Sequence, residues 1–250
     1  MARPIEGIFF DLGDTLLDFG PVDVRGLFEA GAHLAYGYLR KLEQPLPSFE
    51  KFHRKQLWAI RWSYFKSRIT RREFNSLDVL GRMSDNMGHD LTETQAEELA
   101  WLWYLPLRRT ATVEPGTAEM LRRFHEQGLK LGLISNTFVP GQVLDRHLSE
   151  DGLLDLFPWR VYSCDVRYRK PNRKIFRTAL KWANLRPHQT MFVGDSLQAD
   201  VRGANRSGMI SVLKDPSGHR SRSSATPRHR IRRLTELEEL VSGYNESAGQ

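Results

Sequence analysis

The sequence of 250 residues holds one cysteine, Cys164. An internal disulfide is therefore excluded, and a lone thiol fits a reducing compartment. No apolar run approaches the roughly 18–20 residues that a bilayer-crossing helix requires. The opening, Met1 to Ile5, leads into an apolar stretch too brief for a secretory signal. With a mean hydropathy of −0.49, a soluble, cytoplasmic protein is expected, with no membrane partner. No internal repeat is visible, and from about residue 18 to 113 no segment carries a convincing strand pattern.

Acidic residues are missing from one notable place. The formal net charge is +7, and Arg220, Arg222, Arg228, Arg230, Arg232 and Arg233 run without an intervening acid, beside His219 and His229. Nucleic acid is one conceivable partner of such a stretch. No aromatic residues interleave with the arginines to stack bases, so a solvated loop is the expectation and nucleic acid an unlikely partner.

What is present is enough for a large α/β domain: 40% of the residues are hydrophobic. Short apolar runs at Gly7–Phe10, Lys130–Ile134, Arg160–Tyr162, Thr190–Val193 and Ile210–Leu213 read as buried strands. Helical patterns separate the later ones, as in Ile175, Phe176, Ala179 and Leu180, with Asn172 placed to cap. Gly128 and Gly208 sit where helices should stop. This alternation predicts a Rossmann-like α/β core, a parallel sheet of about five strands with helices on both faces.

Between the first strand and the rest, an all-helical block is expected. Thr70–Glu73, Thr92–Gln95 and, near the end of the chain, Thr235–Glu238 match the capping box. Leu27, Gly31, Leu34, Tyr38 and Leu42 share a face of one helix, and Trp58 and Trp62 share a face of another. The expected division is residues 1–17 and 114–250 as the core and 18–113 as an inserted helical domain.

Ligands of open parallel sheets bind beyond the carboxyl ends of the strands. The residues there are Asp11-Leu12-Gly13-Asp14-Thr15, Ser135-Asn136-Thr137, Lys170-Pro171, and Gly194-Asp195-Ser196 with Asp200 following. Carboxylates crowded into one crevice repel and resist ionising. A hard divalent cation relieves this, and an oxygen-rich site suits Mg²⁺. With Lys170 and the Ser135 hydroxyl, such a crevice suits a dianionic phosphate, which Asp11 could attack as a covalent nucleophile.

These four segments, in this order, resemble the motifs of the haloacid dehalogenase-like (HAD) hydrolase superfamily, and the helical block resembles that family's helical cap. The resemblance covers about residues 5–240. It implies Mg²⁺-dependent hydrolysis of a small phosphorylated metabolite through an aspartyl phosphate. Asp11 would be nucleophile and metal ligand, with the Gly13 carbonyl and Asp195 as further ligands. Asp200 would support the metal or orient Lys170. Ser135 and Asn136 would hold the phosphoryl group, Lys170 would screen its charge, and Thr15 would orient the nucleophile loop.

One position departs from the family's phosphatases, which carry a second Asp two residues after the nucleophile. Here it is Gly13, and adjacent Asp14 is a poor geometric substitute. Three readings follow. The enzyme could act on good leaving groups or borrow an acid/base such as His33, His53 or His89 from the cap. It could be a weak or inactive relative that binds phosphate or a partner. Or it could run another chemistry: dehalogenation, or phosphonate cleavage with Lys51, Lys55 or Lys66 as the Schiff-base lysine. Arg61, Arg68, Arg71, Arg72, Arg108 and Arg109 are expected mostly on solvated helix faces. Trp58, Trp62, Trp101 and Trp103 are expected in the core.

Overall fold

Ile8 and Phe10 enter one apolar cluster while Phe9, between them, enters a second. Successive side chains of a strand point to opposite faces, so this strand, β1 (Gly7–Phe10), is buried on both sides. The computed structural model, which describes residues 4–70, 73–218 and 225–247, shows what covers it. In chain order β1 is followed by β2 (Leu17–Asp18), helices α1 (Val24–Lys41), α2 (Phe49–Thr70), α3 (Ser76–Asp85) and α4 (Glu93–Arg108), then β3 (Thr112–Val113). Next come α5 (Thr117–Glu126), β4 (Lys130–Ser135), α6 (Gly141–Glu150), β5 (Trp159–Tyr162), a single turn α7 (Ser163–Val166), and α8 (Arg173–Ala183). The chain ends with β6 (Thr190–Gly194), α9 (Arg202–Ser207), β7 (Ile210–Lys214), β8 (His229–Ile231) and α10 (Leu237–Glu246).

The main sheet has six strands in the order β5-β4-β1-β6-β7-β8, and every pairing is parallel. On one face Leu131, Leu133, Met191 and Val193 pack with Met120 and Phe124 of α5, Val143 and Leu148 of α6, and Leu237 and Val241 of α10. On the other, Phe9, Val161 and Phe192 pack with Ile175, Phe176 and Ala179 of α8 and Ala204 of α9. This is the Rossmann-like architecture that the alternating pattern predicts. Truncating a fully buried ring such as Phe10 in so close-packed a core costs about 3–5 kcal/mol. Asn172 caps α8, its side chain accepting from the Lys174 N–H at 3.0 Å, and Gly208 ends α9 at φ 80°.

The sheet has one strand more than the five that the sequence singles out. β8 pairs with β7 and lies inside the arginine stretch read as a loop. It is an edge strand with only Ile231 buried, so it carries almost none of the apolar signal of a central strand. Arg230 forms an ion pair with Asp215; Arg220 and Arg222 lie outside the described residues.

Helices α1 to α4 fill the segment between β2 and β3, which pair antiparallel, Leu17 with Val113 and Asp18 with Thr112. This two-residue ribbon is strand structure that the sequence does not announce. The helices bury Ala32, Ala35, Leu39, Phe52, Ile60, Leu99 and Trp103 together. The buried stripe of α1 runs through Gly31, Ala32, Ala35 and Leu39; Leu27, Leu34 and Leu42 of the expected stripe sit at its margin, half-buried. Small residues win that face because α4 comes very close: a Cβ on Gly31 would lie 2.3 Å from the Trp103 carbonyl oxygen.

Capping follows the sequence at one box and not at two. Thr92 and Gln95 exchange the two hydrogen bonds of a capping box at the start of α4. Thr70 instead belongs to α2, its hydroxyl donating to the Lys66 carbonyl, and Asn75 caps α3. At the carboxyl end Glu236, not Thr235, does the work, accepting from the Arg233 N–H at 2.8 Å. Trp101 and Trp103 are buried. Trp58 and Trp62 are not: they are 67% and 51% exposed and stack on each other along the outside of α2. No helix among the described residues is long and apolar enough to cross a membrane.

Candidate active site

The strand order reverses around β1, with β4 on one side and β6 on the other. Such a switch point opens a crevice beyond the carboxyl ends of the strands. Asp11 leaves β1 there, Ser135 ends β4, and Asp195 follows β6. Asp200 enters from the turn after β6, where the Ser196 N–H donates to its Oδ2 at 2.9 Å. Gly194 makes that turn possible, since a Cβ there would lie 2.5 Å from Asp200 Cγ. One carboxylate oxygen from each of Asp11, Asp195 and Asp200 lies within 4.8 Å of the others.

Lys170 reaches the same point from the loop after α7. Its Nζ lies 2.8 Å from Asp11 Oδ1 and 2.7 Å from Asp200 Oδ1, and its side chain is almost wholly buried. Burial works against the Lys170 ammonium, but the two carboxylates together hold its pKa above the ordinary lysine value. The acids feel the crowding too. Burial pushes Asp11 up to about 7; Lys170 opposes this, while Asp200 and Asp195 add to it. Burial likewise pushes Asp195 up to about 6, with Asp200 and Asp14 contributing repulsion. The anionic charge in this crevice exceeds what one lysine neutralises, and every donor is an oxygen, the environment a hard divalent cation satisfies.

The remaining residues singled out from the sequence fall around this cluster. Ser135 is buried at the end of β4. Asn136 is committed to Lys170: its Oδ1 accepts from the Lys170 N–H at 2.7 Å and its Nδ2 donates to the Lys170 carbonyl at 3.1 Å. Thr15 is fully buried, and its carbonyl accepts from Lys214 Nζ at 2.8 Å. Asp14 adopts a left-handed backbone, φ 57°, and its N–H donates to the Leu17 carbonyl at 2.8 Å, as a turn residue does. Gly13 needs no glycine for its backbone, and an added Cβ would meet only the Phe19 ring, at 3.5 Å.

The proposed substitutes for an acid/base lie elsewhere. His89 is tied between the Ser84 hydroxyl and the Pro45 carbonyl, and His33 and His53 stack on Phe49. Lys51, Lys55 and Lys66 are exposed on α2. Arg61 and Arg109 are exposed, whereas Arg108 is ion-paired with Asp151 at 2.5 Å. Arg71 and Arg72 lie outside the described residues, and of Arg68 only the backbone is described.

The model of the haloacid dehalogenase-like hydrolase family matches residues 5–208. The chain belongs to this family. A glyceraldehyde 3-phosphate phosphatase from Pyrococcus furiosus is 34% identical over 218 residues, 84% of this chain and 80% of that protein. Another from Methanopyrus kandleri is 35% identical over 98 residues, which make up 39% of this chain and only 41% of that relative's length. Among solved structures, a HAD phosphatase from Thermococcus onnurineus superposes with a TM-score of 0.61 at 27% identity, covering 96% of this chain and 99% of that one.

Two groups near the HAD crevice escaped the sequence reading. Lys214, buried at the end of β7, grips the Thr15 carbonyl and lies 3.4 Å from Glu114; it stands at a strand exit like the others, which is the signal that could have found it. Arg169 ties the helical segment to the core through Glu73 at 3.1 Å and Ser67 at 3.2 Å. Ser163 also donates to Glu73. Nothing local in the sequence marks that contact.

Proposed function

We propose that the chain is a phosphohydrolase acting on a small phosphorylated metabolite, with Asp11 as the nucleophile and Mg²⁺ as its cofactor. The observation that carries this reading is the Asp11–Lys170–Asp200 chain of ion pairs beside Asp195. Asp11, Asp195 and the Gly13 carbonyl are the groups suited to hold the metal. Asp200 has its two oxygens engaged by Lys170 and the Ser196 N–H, which favours an orienting role. When bound, Mg²⁺ would neutralise phosphate charge so that an anionic carboxylate can approach phosphorus.

The chain's own residues supply the rest. Asp11 forms a bond to phosphorus while the bond to the leaving oxygen breaks, and the electron pair departs with that oxygen. Water then opens the aspartyl phosphate, returning Asp11 and releasing phosphate. Lys170 screens the repulsion between Asp11 and the incoming dianion, Asn136 sets the height of Lys170, and Ser135 offers a hydroxyl to the phosphoryl oxygens. Lys214 braces the nucleophile loop through the Thr15 carbonyl. Residues 18–113 act as a cap that closes over the crevice and selects the substrate. The phosphatase names of the Pyrococcus and Methanopyrus relatives agree with this reading.

Gly13 narrows the reaction. With no side chain there to protonate the leaving oxygen, a contribution of about 10²–10⁴ in rate is missing. Substrates whose leaving group departs as a stable anion lose least. Gly13 is also the observation that favours the second reading, a relative that binds phosphate without turning it over. Turnover of acetyl phosphate and an aryl phosphate, with and without excess chelator, and in Asp11→Asn, tests the proposal. Activity that persists in chelator or in Asp11→Asn overturns it. Binding of phosphate with no turnover of either compound selects the second reading.

A further inference from the structure

A cavity of about 1010 Å³ opens between the helical segment and the nucleophile loop. Asp14 stands at one edge, and Phe19, Leu27, Phe28, Leu57, Ile60 and Phe138 are among the apolar residues of the wall. Tyr64 belongs both to this wall and to that of a second cavity that contains Lys170 and Asn136. The apolar space thus shares one wall residue with the cavity that holds Lys170. Phe19 supplies the other link: its ring is the atom group that a side chain at position 13 would meet, at 3.5 Å. The place where a family phosphatase carries its acid faces, in this chain, an aromatic wall.

Two independent features therefore constrain the same part of the substrate. The wall is mainly apolar, with Arg25, Arg61, Tyr64, Trp103 and Tyr104 as its polar groups besides Asp14, so a broad apolar leaving group removes more apolar surface from water there than a polyol does. Gly13 offers no proton, so the leaving oxygen must depart as an anion. A phenol-type alcohol satisfies both, being broad and apolar and stable as the anion. We infer that the cavity receives the leaving group of the substrate and that this group is aromatic: the chain hydrolyses an aryl phosphate monoester. This rests on the phosphohydrolase reading above. The P–O bond breaks with its electron pair on the aryl oxygen. The aryloxide is protonated from solvent after release, and water supplies the oxygen that frees phosphate from Asp11.

The test uses the full chain with Mg²⁺ and compares 2-naphthyl phosphate, acetyl phosphate and glycerol 3-phosphate. Acetyl phosphate has the more acidic leaving group but a small, polar one, so it separates leaving-group stability from cavity filling. The expected kcat/KM for 2-naphthyl phosphate exceeds that for acetyl phosphate at least tenfold and that for glycerol 3-phosphate at least a hundredfold. Leu57→Gln, and separately Phe28→Ser in case the first variant folds poorly, should each lower the naphthyl-to-acetyl ratio at least tenfold. Preference for acetyl or glycerol phosphate, or a ratio that neither variant moves, overturns the aromatic assignment while leaving phosphohydrolysis standing. If none of the three is turned over, phosphohydrolysis fails and calorimetric titration still decides the cavity. Binding of 2-naphthyl phosphate at least tenfold tighter than inorganic phosphate supports it, and equal binding overturns it.

Discussion

The side chain of Asn136 holds Lys170 by its main chain at both ends, accepting from the N–H at 2.7 Å and donating to the carbonyl at 3.1 Å. An amide at the exit of β4 thereby fixes from behind an ammonium that Asp11 and Asp200 fix from in front. Substrate binding is thus not the first use of this side chain.

Asn136→Ala removes both hydrogen bonds and leaves half-buried main-chain groups unpaired. A stability loss of about 1–3 kcal/mol is expected by chemical denaturation. In steady-state kinetics kcat should fall more than KM rises, because under the proposed mechanism Ser135 and Lys170 would still meet the phosphoryl group while Lys170 would lose its fixed height. A raised KM with unchanged kcat would instead place Asn136 on the substrate.

Gly13→Asp should fold, since the backbone there is unstrained and an added Cβ meets only Phe19, at an ordinary contact distance. Its expected effect is a gain of about 10²-fold or more on alkyl phosphates, with a much smaller gain on aryl phosphates, because only the former need a proton at the leaving oxygen. Equal gains on both classes, or none on either, would show that position 13 does not limit proton transfer.

Metal should stabilise the folded chain. At a Mg²⁺ concentration a hundred times its dissociation constant, binding to the native state alone adds about 2.7 kcal/mol, read as a rise in Tm. Asp195→Asn should abolish most of that rise, since it removes one of the three clustered carboxylates. An undiminished rise in Asp195→Asn, or an equal rise with monovalent salt of matched ionic strength, counts against the assigned ligands.

A pH dependence follows from His147, away from the crevice. It is fully buried, its Nδ1 lies 2.8 Å from the Tyr104 hydroxyl, and burial lowers its pKa to about 4, with Arg108 adding to the effect. Its Nε2 is 3.2 Å from Asp151, off the direction of a hydrogen bond. An unfolded histidine titrates near 6.5. Between those values the unfolded chain binds the extra proton, so the contribution of neutral His147 is complete above about pH 6.5 and is lost as the pH falls toward 4. The stability difference between the wild type and His147→Gln should therefore shrink from pH 7.5 to pH 5. A difference that stays constant would show that His147 does not titrate on unfolding.

Four strands, β1, β4, β6 and β7, were legible as apolar runs buried on both faces; β5, at the other edge with only Val161 and Tyr162 buried, was legible from those two, and all five appear within a residue of their predicted bounds. The crevice was legible for a related reason: in a parallel sheet, chain order alone puts Asp11, Ser135 and Asp195 on one edge. The misses share a cause as well. β8 hides among arginines because an edge strand needs only Ile231 inside. Spacing shows that Trp58 and Trp62 share a face, but not that the face points outward. The core stripe of α1 follows Ala32 and Ala35 rather than the leucines because the closeness of α4 sets the side-chain size. The grip of Asn136 on Lys170 and that of Lys214 on Thr15 join residues far apart in the chain, so no local pattern carries them.

The pairing of β2 with β3 bears on how the molecule assembles. It is a hairpin whose turn has been replaced by four helices, and its two ends leave and return side by side. The sheet must join Gly7 to Lys130 across that whole segment, and closing a long flexible loop costs more entropy than closing a short one. Packing α1 on α4, which Gly31 permits by its lack of a side chain, holds the two ends of the segment near each other. Packed helices shorten the loop that the sheet has to close, so a bulky residue at position 31 is expected to slow refolding of a sheet it never touches, read by stopped-flow fluorescence.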